Sequence, residues 1–243
     1  METEKEVKKE VTITENKKET LNKVEVEIRN NLEVIGVIDT EPTPLHEIKH
    51  EKIYNFILKI PRKSKDKFDY MYTEVPERVC NLNDFKKGDR VFIKGQFRSL
   101  QVKDNIVETL NTKNKTHTYI FIEDMVHDNT TRKINELRLH GFICKEPNLR
   151  VTPKGREVCD LLVAVRRKYN RSDYIPCVTW NRDARFTSTL KVGSPVYIRG
   201  RVQSRDYIKK LPDDTQETRT VYEVSVTEVV EIDSKVTEVQ VLN

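Results

Sequence analysis

The sequence has no paired cysteines, no long apolar run and little apolar material for its charge, and each lack excludes a class of protein. Cys80, Cys144, Cys159 and Cys177 are widely spaced with no C-x-x-C among them. Neither a structural zinc site nor a disulfide framework is expected, and the four read as reduced, partly buried small hydrophobes. No window approaches the apolar length needed to cross a bilayer. The first twenty residues, METEKEVKKEVTITENKKET, alternate Glu and Lys where a signal peptide would carry an apolar core, so a cytoplasmic location is expected. Charged residues make up 34% of the 243 and hydrophobic residues 36%, which is thin for one large core and favours two small domains. P-loop and G-x-S-x-G patterns are missing, so neither catalysis nor a cofactor is expected.

One pattern argues the other way. PLHEIKHEK, residues 44–52, contains His46, Glu47 and His50 as H-E-x-x-H, which on a helix would set two imidazoles on one face for zinc. Pro42 and Pro44 leave little room for a helix there, and no third ligand follows in a recognisable spacing, His117 and His127 having ordinary surface or strand readings. No metal is expected.

What is present is a basic block and a repeat. Residues 135–210 hold 17 Lys/Arg against seven Asp/Glu, whereas the whole chain carries a net charge of only +5. Such concentration points to a polyanionic partner. NLEVIGVIDTEP (31–42) matches NELRLHGFICKEP (135–147), and KKGDRVFIKGQFRS (86–99) matches KVGSPVYIRGRVQS (191–204). Gly36, Pro42, Gly88, Gly95 and Ser99 each lie 105 residues before Gly141, Pro147, Gly193, Gly200 and Ser204. The chain therefore reads as two copies of one domain, with boundaries expected at 26–128 and 129–243 after a flexible lead-in of residues 1–25. At that offset His46, Glu47 and His50 fall on Val151, Thr152 and Gly155, in the turn-like RVTPKGREV, so residues 44–52 are expected to form an exposed loop or hairpin of the first copy.

Each copy reads as β-rich. In the second, ELRLHGFI, EVCDLLVAVRR, YIPCVTW, PVYIRGRVQSR and VYEVSVTEVV are short β-branched and aromatic runs separated by turn signals. NRDARFTSTLKVG, between the third and fourth, has room for a short helix with Asn181 as N-cap and Gly193 near its end. The expected fold is all-β: two tandem OB-folds, five-stranded Greek-key barrels, with a short helix in the second. Side chains alternate across a strand, so Val196, Ile198, Gly200 and Val202 form a core face. Tyr197, Arg199, Arg201, Gln203, Arg205 and Tyr207 then face outward. Tyr174 and Trp180 share one parity of the preceding run, and Arg166, Arg167, Lys168, Tyr169 and Arg171 lie in the loop before it. A lone tryptophan is more often buried than open, but this company places Trp180 on a solvent-facing stacking platform. Guanidinium groups pair with phosphates and rings stack on bases.

Residues 135–209, through GFICKEPNLRVTPKGREVCDLLVAV, YIPCVTWNRDA and KVGSPVYIRGRVQSRDY in that order, resemble the bacterial single-stranded DNA-binding proteins. The resemblance implies sequence-independent binding of single-stranded DNA in replication, repair or recombination. It implies bases stacking on Tyr174, Trp180 and Tyr207, and, as members are built from four OB-folds, a homodimer of two-barrel chains. The family's Gly/Pro-rich segment and acidic tip have no counterpart in KVTEVQVLN, so recruitment of proteins through a tail is not expected. In the first copy the 105 offset sets Val75, Asp69 and Val102 opposite Trp180, Tyr174 and Tyr207. Tyr70 and Tyr72 would serve only if the register slips by one. Lys94 and Arg98 keep part of the phosphate-binding set, and this copy is expected to be a structural or dimerising partner that contributes secondary contacts. An OB-fold scaffold in a replication or conjugation complex and an RNA binder remain alternative readings.

Overall fold

The structure is a computed structural model and describes residues 30–64, 66–101, 116–167, 171–210 and 214–232; the expected lead-in lies outside them. The first half contains β1 (Asn30–Ile38), β2 (Thr43–Ile48), β3 (Glu51–Pro61), β4 (Phe68–Pro76), a 3-10 turn (Leu82–Asp84), β5 (Arg90–Gln101) and β6 (Thr116–His127). The second contains β7 (Asn135–Ile143), β8 (Asn148–Val151), β9 (Glu157–Arg166), β10 (Ser172–Trp180), α1 (Arg182–Thr187), β11 (Pro195–Lys210) and β12 (Gln216–Glu231). Among the described residues no helix is long and apolar enough to cross a membrane.

Hydrogen-bonded neighbours close each half on itself. β1 pairs antiparallel with β3 and β5, β3 with β4, β5 with β6, and β4 returns to β6 in parallel. The same circuit runs β7–β9–β10–β12–β11–β7, with β10 and β12 parallel. These are two five-stranded OB-fold barrels, as the strand runs and punctuation imply. Alternate residues fill them: Leu58, Ile60, Met71, Ile93 and Phe97 are buried in one, and Val163, Val165, Ile175, Ile198 and Val202 in the other. Closure needs a sharp bend in the long strand. A bulge follows Lys94 in β5 and Arg199 in β11, and the next residue is glycine in both. A Cβ on Gly95 would come within 2.1 Å of the Phe121 carbonyl oxygen, and one on Gly200 within 2.6 Å of the Ser225 oxygen, so only glycine lets the neighbouring backbone this close.

Three local expectations change. PLHEIKHEK is no open loop: it forms most of β2 and the tip of the β2–β3 hairpin, whose turn is Lys49–His50, both with positive φ (52° and 68°). That left-handed pair matches strand twist in a two-residue hairpin. β8 forms the equivalent hairpin in the second copy, closed by Thr152 N–H donating to the Arg156 carbonyl at 2.8 Å. The helix after β10 has only six residues; Asn181 holds its N-cap position without a side-chain cap bond, and Gly193 lies well beyond its end, in the turn into β11.

The barrels are joined edge to edge. Asn30–Val34 of β1 pair antiparallel with Asn135–Leu139 of β7, centred on Leu32 opposite Leu137. This pairing relates the two halves by an approximate two-fold axis and merges their strands into one twelve-stranded order. Asn30 donates to and accepts from the Phe97 backbone (2.7 and 3.0 Å), and Asn135 does the same with Val202 (2.9 and 3.0 Å).

Candidate nucleic-acid interface

The 105-residue spacing holds for β1 with β7 and β5 with β11, but not throughout. Tyr70 lies opposite Lys59 and Tyr174 opposite Ala164; Lys59 and Ala164 are 105 apart, Tyr70 and Tyr174 only 104. The loop into β4 is one residue longer than the loop into β10, and the segment after β10 regains that residue by forming α1. Tyr70, not Asp69, therefore stands where Tyr174 stands, and Pro76, not Val75, matches Trp180. Val102 lies outside the described residues.

The outward face of β10 begins with Tyr174, which is 36% exposed between buried Asp173 and Ile175. Trp180 ends the strand, partly covered, opposite Val158. Arg166, the last residue of β9, and Arg171, just before β10, are exposed. The Arg167 amide donates to the Arg171 carbonyl at 2.8 Å, and its guanidinium lies 3.2 Å from Asp173. Lys168 and Tyr169 lie outside the described residues.

On β11 the core face is Val196, Ile198, Gly200 and Val202, all buried. The opposite face is less open than strand parity implies. Tyr197 is only 4% exposed, in register with His140 on one side and Val230 on the other, so it leaves the candidate stacking set. Gln203 is buried too, donating to Glu223 at 2.7 Å. Arg199 pairs with Glu228 (3.2 Å), Arg205 grips Glu223 through two nitrogens (both 3.1 Å), and Arg201 lies 3.4 Å from Asp69 of the other copy. These carboxylates fix the guanidiniums in place; each guanidinium has five N–H donors, so pairing does not exhaust them. Tyr207 is partly exposed near the end of the strand. On β5, Lys94 is exposed, 5.7 Å from the Phe92 ring. Arg98 is half-buried with its Cζ 3.5 Å from the Phe121 ring centre.

Tertiary structure adds a feature that no sequence pattern assigned: each copy clasps the other. The Ser99 amide donates to Asp173 (2.7 Å) and the Tyr174 amide to the Ser99 hydroxyl (2.7 Å). In mirror fashion the Ser204 amide donates to Asp69 (2.8 Å) and the Tyr70 amide to the Ser204 hydroxyl (3.0 Å). Arg62 seals the second clasp, donating to Asp69 (2.6 Å) and to the Ser204 carbonyl (2.7 Å). Both serines are landmarks of the repeat, and the shared dipeptides Asp69-Tyr70 and Asp173-Tyr174 are the signal that, 104 apart, marks the slip. Beneath the first clasp, burial pushes the Glu74 carboxyl up to about 7 despite Arg98, Tyr119 and Arg167 nearby. Burial also drives the His117 imidazole down to about 4.

Among the described residues no three His, Cys, Asp or Glu gather as ligands, and His46, Glu47 and His50 are all exposed on the hairpin. Cys159 and Cys177 are buried and Cys80 and Cys144 half-buried, all free.

Barrel topology defines the class, an OB-fold protein. Residues 134–232 match the sequence model of the family described as Single-strand binding protein family. The Single-stranded DNA-binding protein of Oceanobacillus iheyensis is 36% identical over 104 residues, 40% of this chain and 59% of the relative. Single-stranded DNA-binding protein A of Bacillus subtilis is 38% identical over 81 residues, 30% of this chain and 47% of the relative. The chain thus spans about half the length of these relatives. The wild-type single-stranded DNA binding protein from Thermus aquaticus superposes with a TM-score of 0.64 at 19% identity, over 83% of this chain and 92% of that one, so the likeness of fold extends through both barrels.

Proposed function

We propose that this chain binds single-stranded DNA without sequence preference and serves as a non-enzymatic coating protein in replication, repair or recombination. The observation that carries the reading is the open face of β10. Tyr174 stands in solvent with Arg166 at the end of β9 and Arg171 in the loop ahead of it both exposed, inside the segment whose relatives are named for single-stranded DNA. Bases stack on Tyr174, Trp180 and Tyr207, with Tyr169 as a further ring. Arg166, Arg167, Lys168, Arg171, Arg199, Arg201 and Arg205 take phosphates, with Lys94 and Arg98 on the first copy. Residues 26–128 and 129–243 act as the two units, and two chains pair to give four barrels in the cytoplasm.

A binding assay at fixed salt with oligo(dT) and a duplex of equal length tests this. Tighter binding of the single strand is expected; equal or tighter binding of the duplex would remove the reading. An oligo(U) arm measures whether ribose is tolerated.

A further inference from the structure

Tyr70, Tyr72 and Glu74 alternate with the core residues Met71 and Val75 and so share the outer face of β4. At the 104 spacing that matches Tyr70 to Tyr174, Val178 of β10 stands where Glu74 stands. Both are covered, Val178 at 3% exposure and Glu74 at 8%. An apolar side chain therefore serves the fold at this position, and the barrel does not need a carboxyl there. Burying one is costly, and a structural role leaves that cost unexplained.

Glu74 lies where the two copies meet. Asn55 of β3 is opposite it on one side and Phe121 of β6 on the other. Tyr119 of β6 hydrogen-bonds its carboxyl, and the cations beside it come from different barrels: Arg98 of β5 and Arg167, just past the end of β9. Arg98 rests on the Phe121 ring and lies 4.0 Å from Glu123, and Arg167 lies 3.2 Å from Asp173. Both guanidiniums are partly exposed, so each reaches solvent as well as the carboxyl. Tyr72 is the neighbour along β4, and His117 of β6 packs against it with ring centres 4.9 Å apart. Burial pushes the Tyr72 hydroxyl up to about 12, raises that of Tyr119 as well and lowers the His117 imidazole to about 4. None of these three changes charge near neutral pH, whereas Glu74, raised by burial to about 7, does.

We infer that Glu74 is a proton-linked regulator of DNA binding: ionised, its carboxylate holds Arg98 and Arg167 and competes with phosphates for them, and protonated, it releases both. This rests on the function proposed above, in which those two arginines take phosphates. A phosphate at either guanidinium draws positive charge from the carboxyl and sets negative charge beside it, and both effects disfavour the carboxylate. The bound state thus keeps the proton to higher pH than the free protein, binding takes up a proton, and affinity falls as pH rises above about 7.

Calorimetric titration of the full-length chain with oligo(dT) tests this, at fixed salt between about pH 6 and about pH 8.5 and in buffers of different ionisation enthalpy, which count the protons exchanged. Wild-type affinity is expected to fall about 3- to 10-fold across that range, with a fraction of a proton taken up per strand near its middle. Glu74→Gln, of the same shape and unable to ionise, should remove the uptake and keep at high pH the affinity that wild type shows at low pH. Single-strand affinity independent of pH in wild type, or uptake of wild-type size in folded Glu74→Gln, would overturn the inference and leave the proposed function standing. Should Glu74→Gln not fold, Tyr119→Phe decides: without the hydroxyl that favours the carboxylate, the fall in affinity should move to higher pH, and an unmoved fall overturns the inference. A chain that binds no oligo(dT) at any pH overturns the proposed function, and this with it.

Discussion

Removing the buried carboxylate of one clasp tests how the two barrels are held. Asp69 accepts the Ser204 amide at 2.8 Å and the Arg62 guanidinium at 2.6 Å, and lies 3.4 Å from Arg201. In Asp69→Ala the Ser204 amide loses its acceptor, at about 1–3 kcal/mol. Arg62 and Arg201 are 29% and 33% exposed and can turn to water, so each pair adds at most about 1 kcal/mol after screening. A loss of about 2–4 kcal/mol results. Asp69→Asn keeps an oxygen for the amide and should lose about 1 kcal/mol. The approximate two-fold extends the claim: Asp173→Ala, which strips the Ser99 amide of its acceptor, should cost a comparable amount. Urea unfolding followed by circular dichroism and Trp180 fluorescence reads these as midpoint shifts at constant slope. Either alanine variant within about 0.5 kcal/mol of wild type, the range of an indifferent surface change, would refute the clasp as a stabilising contact.

Other consequences are open to direct measurement. Burial raises the Glu74 carboxyl from its ordinary 4.5 to about 7 in the fold, so the native state binds the extra proton and stability contributed by this group falls as pH rises through that window. The gain in melting temperature of Glu74→Gln over wild type should therefore grow from pH 4.5 to about 7 and then level off; a gain independent of pH contradicts the assignment. Gly200→Ala places a methyl 2.6 Å from the Ser225 carbonyl oxygen and should cost about 1–3 kcal/mol in urea unfolding. Arg171→Ala, in the open loop, should reduce the steepness of the salt dependence of oligo(dT) binding by about 0.7 on a log–log plot; an unchanged slope takes Arg171 out of the phosphate set.

Much of this was readable in the chain because the signals are local. Strand runs, turn residues and paired glycines report backbone needs that do not depend on distant neighbours, and they led to two barrels with a helix in the second. Failures arose where distant parts meet. The landmarks that fixed the 105 spacing lie in β1, β5 and the turns beside them, so a residue inserted before β4 and another after β10 cancelled between them and hid the match of Tyr70 to Tyr174. Parity placed Tyr197 opposite the core face but carries no information on what covers that side, and the residue is buried. Arg201 reads as a free cation in sequence, while in the fold it lies beside Asp69, 132 residues away. The H-E-x-x-H letters look like a metal site only if helical; a two-residue left-handed turn makes them the end of a hairpin.

The central claim is that bases stack on the open face of the second barrel. Trp180, the single tryptophan of the chain and partly exposed at the end of β10, reports on that face. Titrated with oligo(dT), its fluorescence should be quenched to saturation, and Tyr174→Ala should weaken the binding by about 5- to 100-fold, the effect of one stacked base. Fluorescence unmoved by oligo(dT), or moved equally by duplex DNA, would contradict the account.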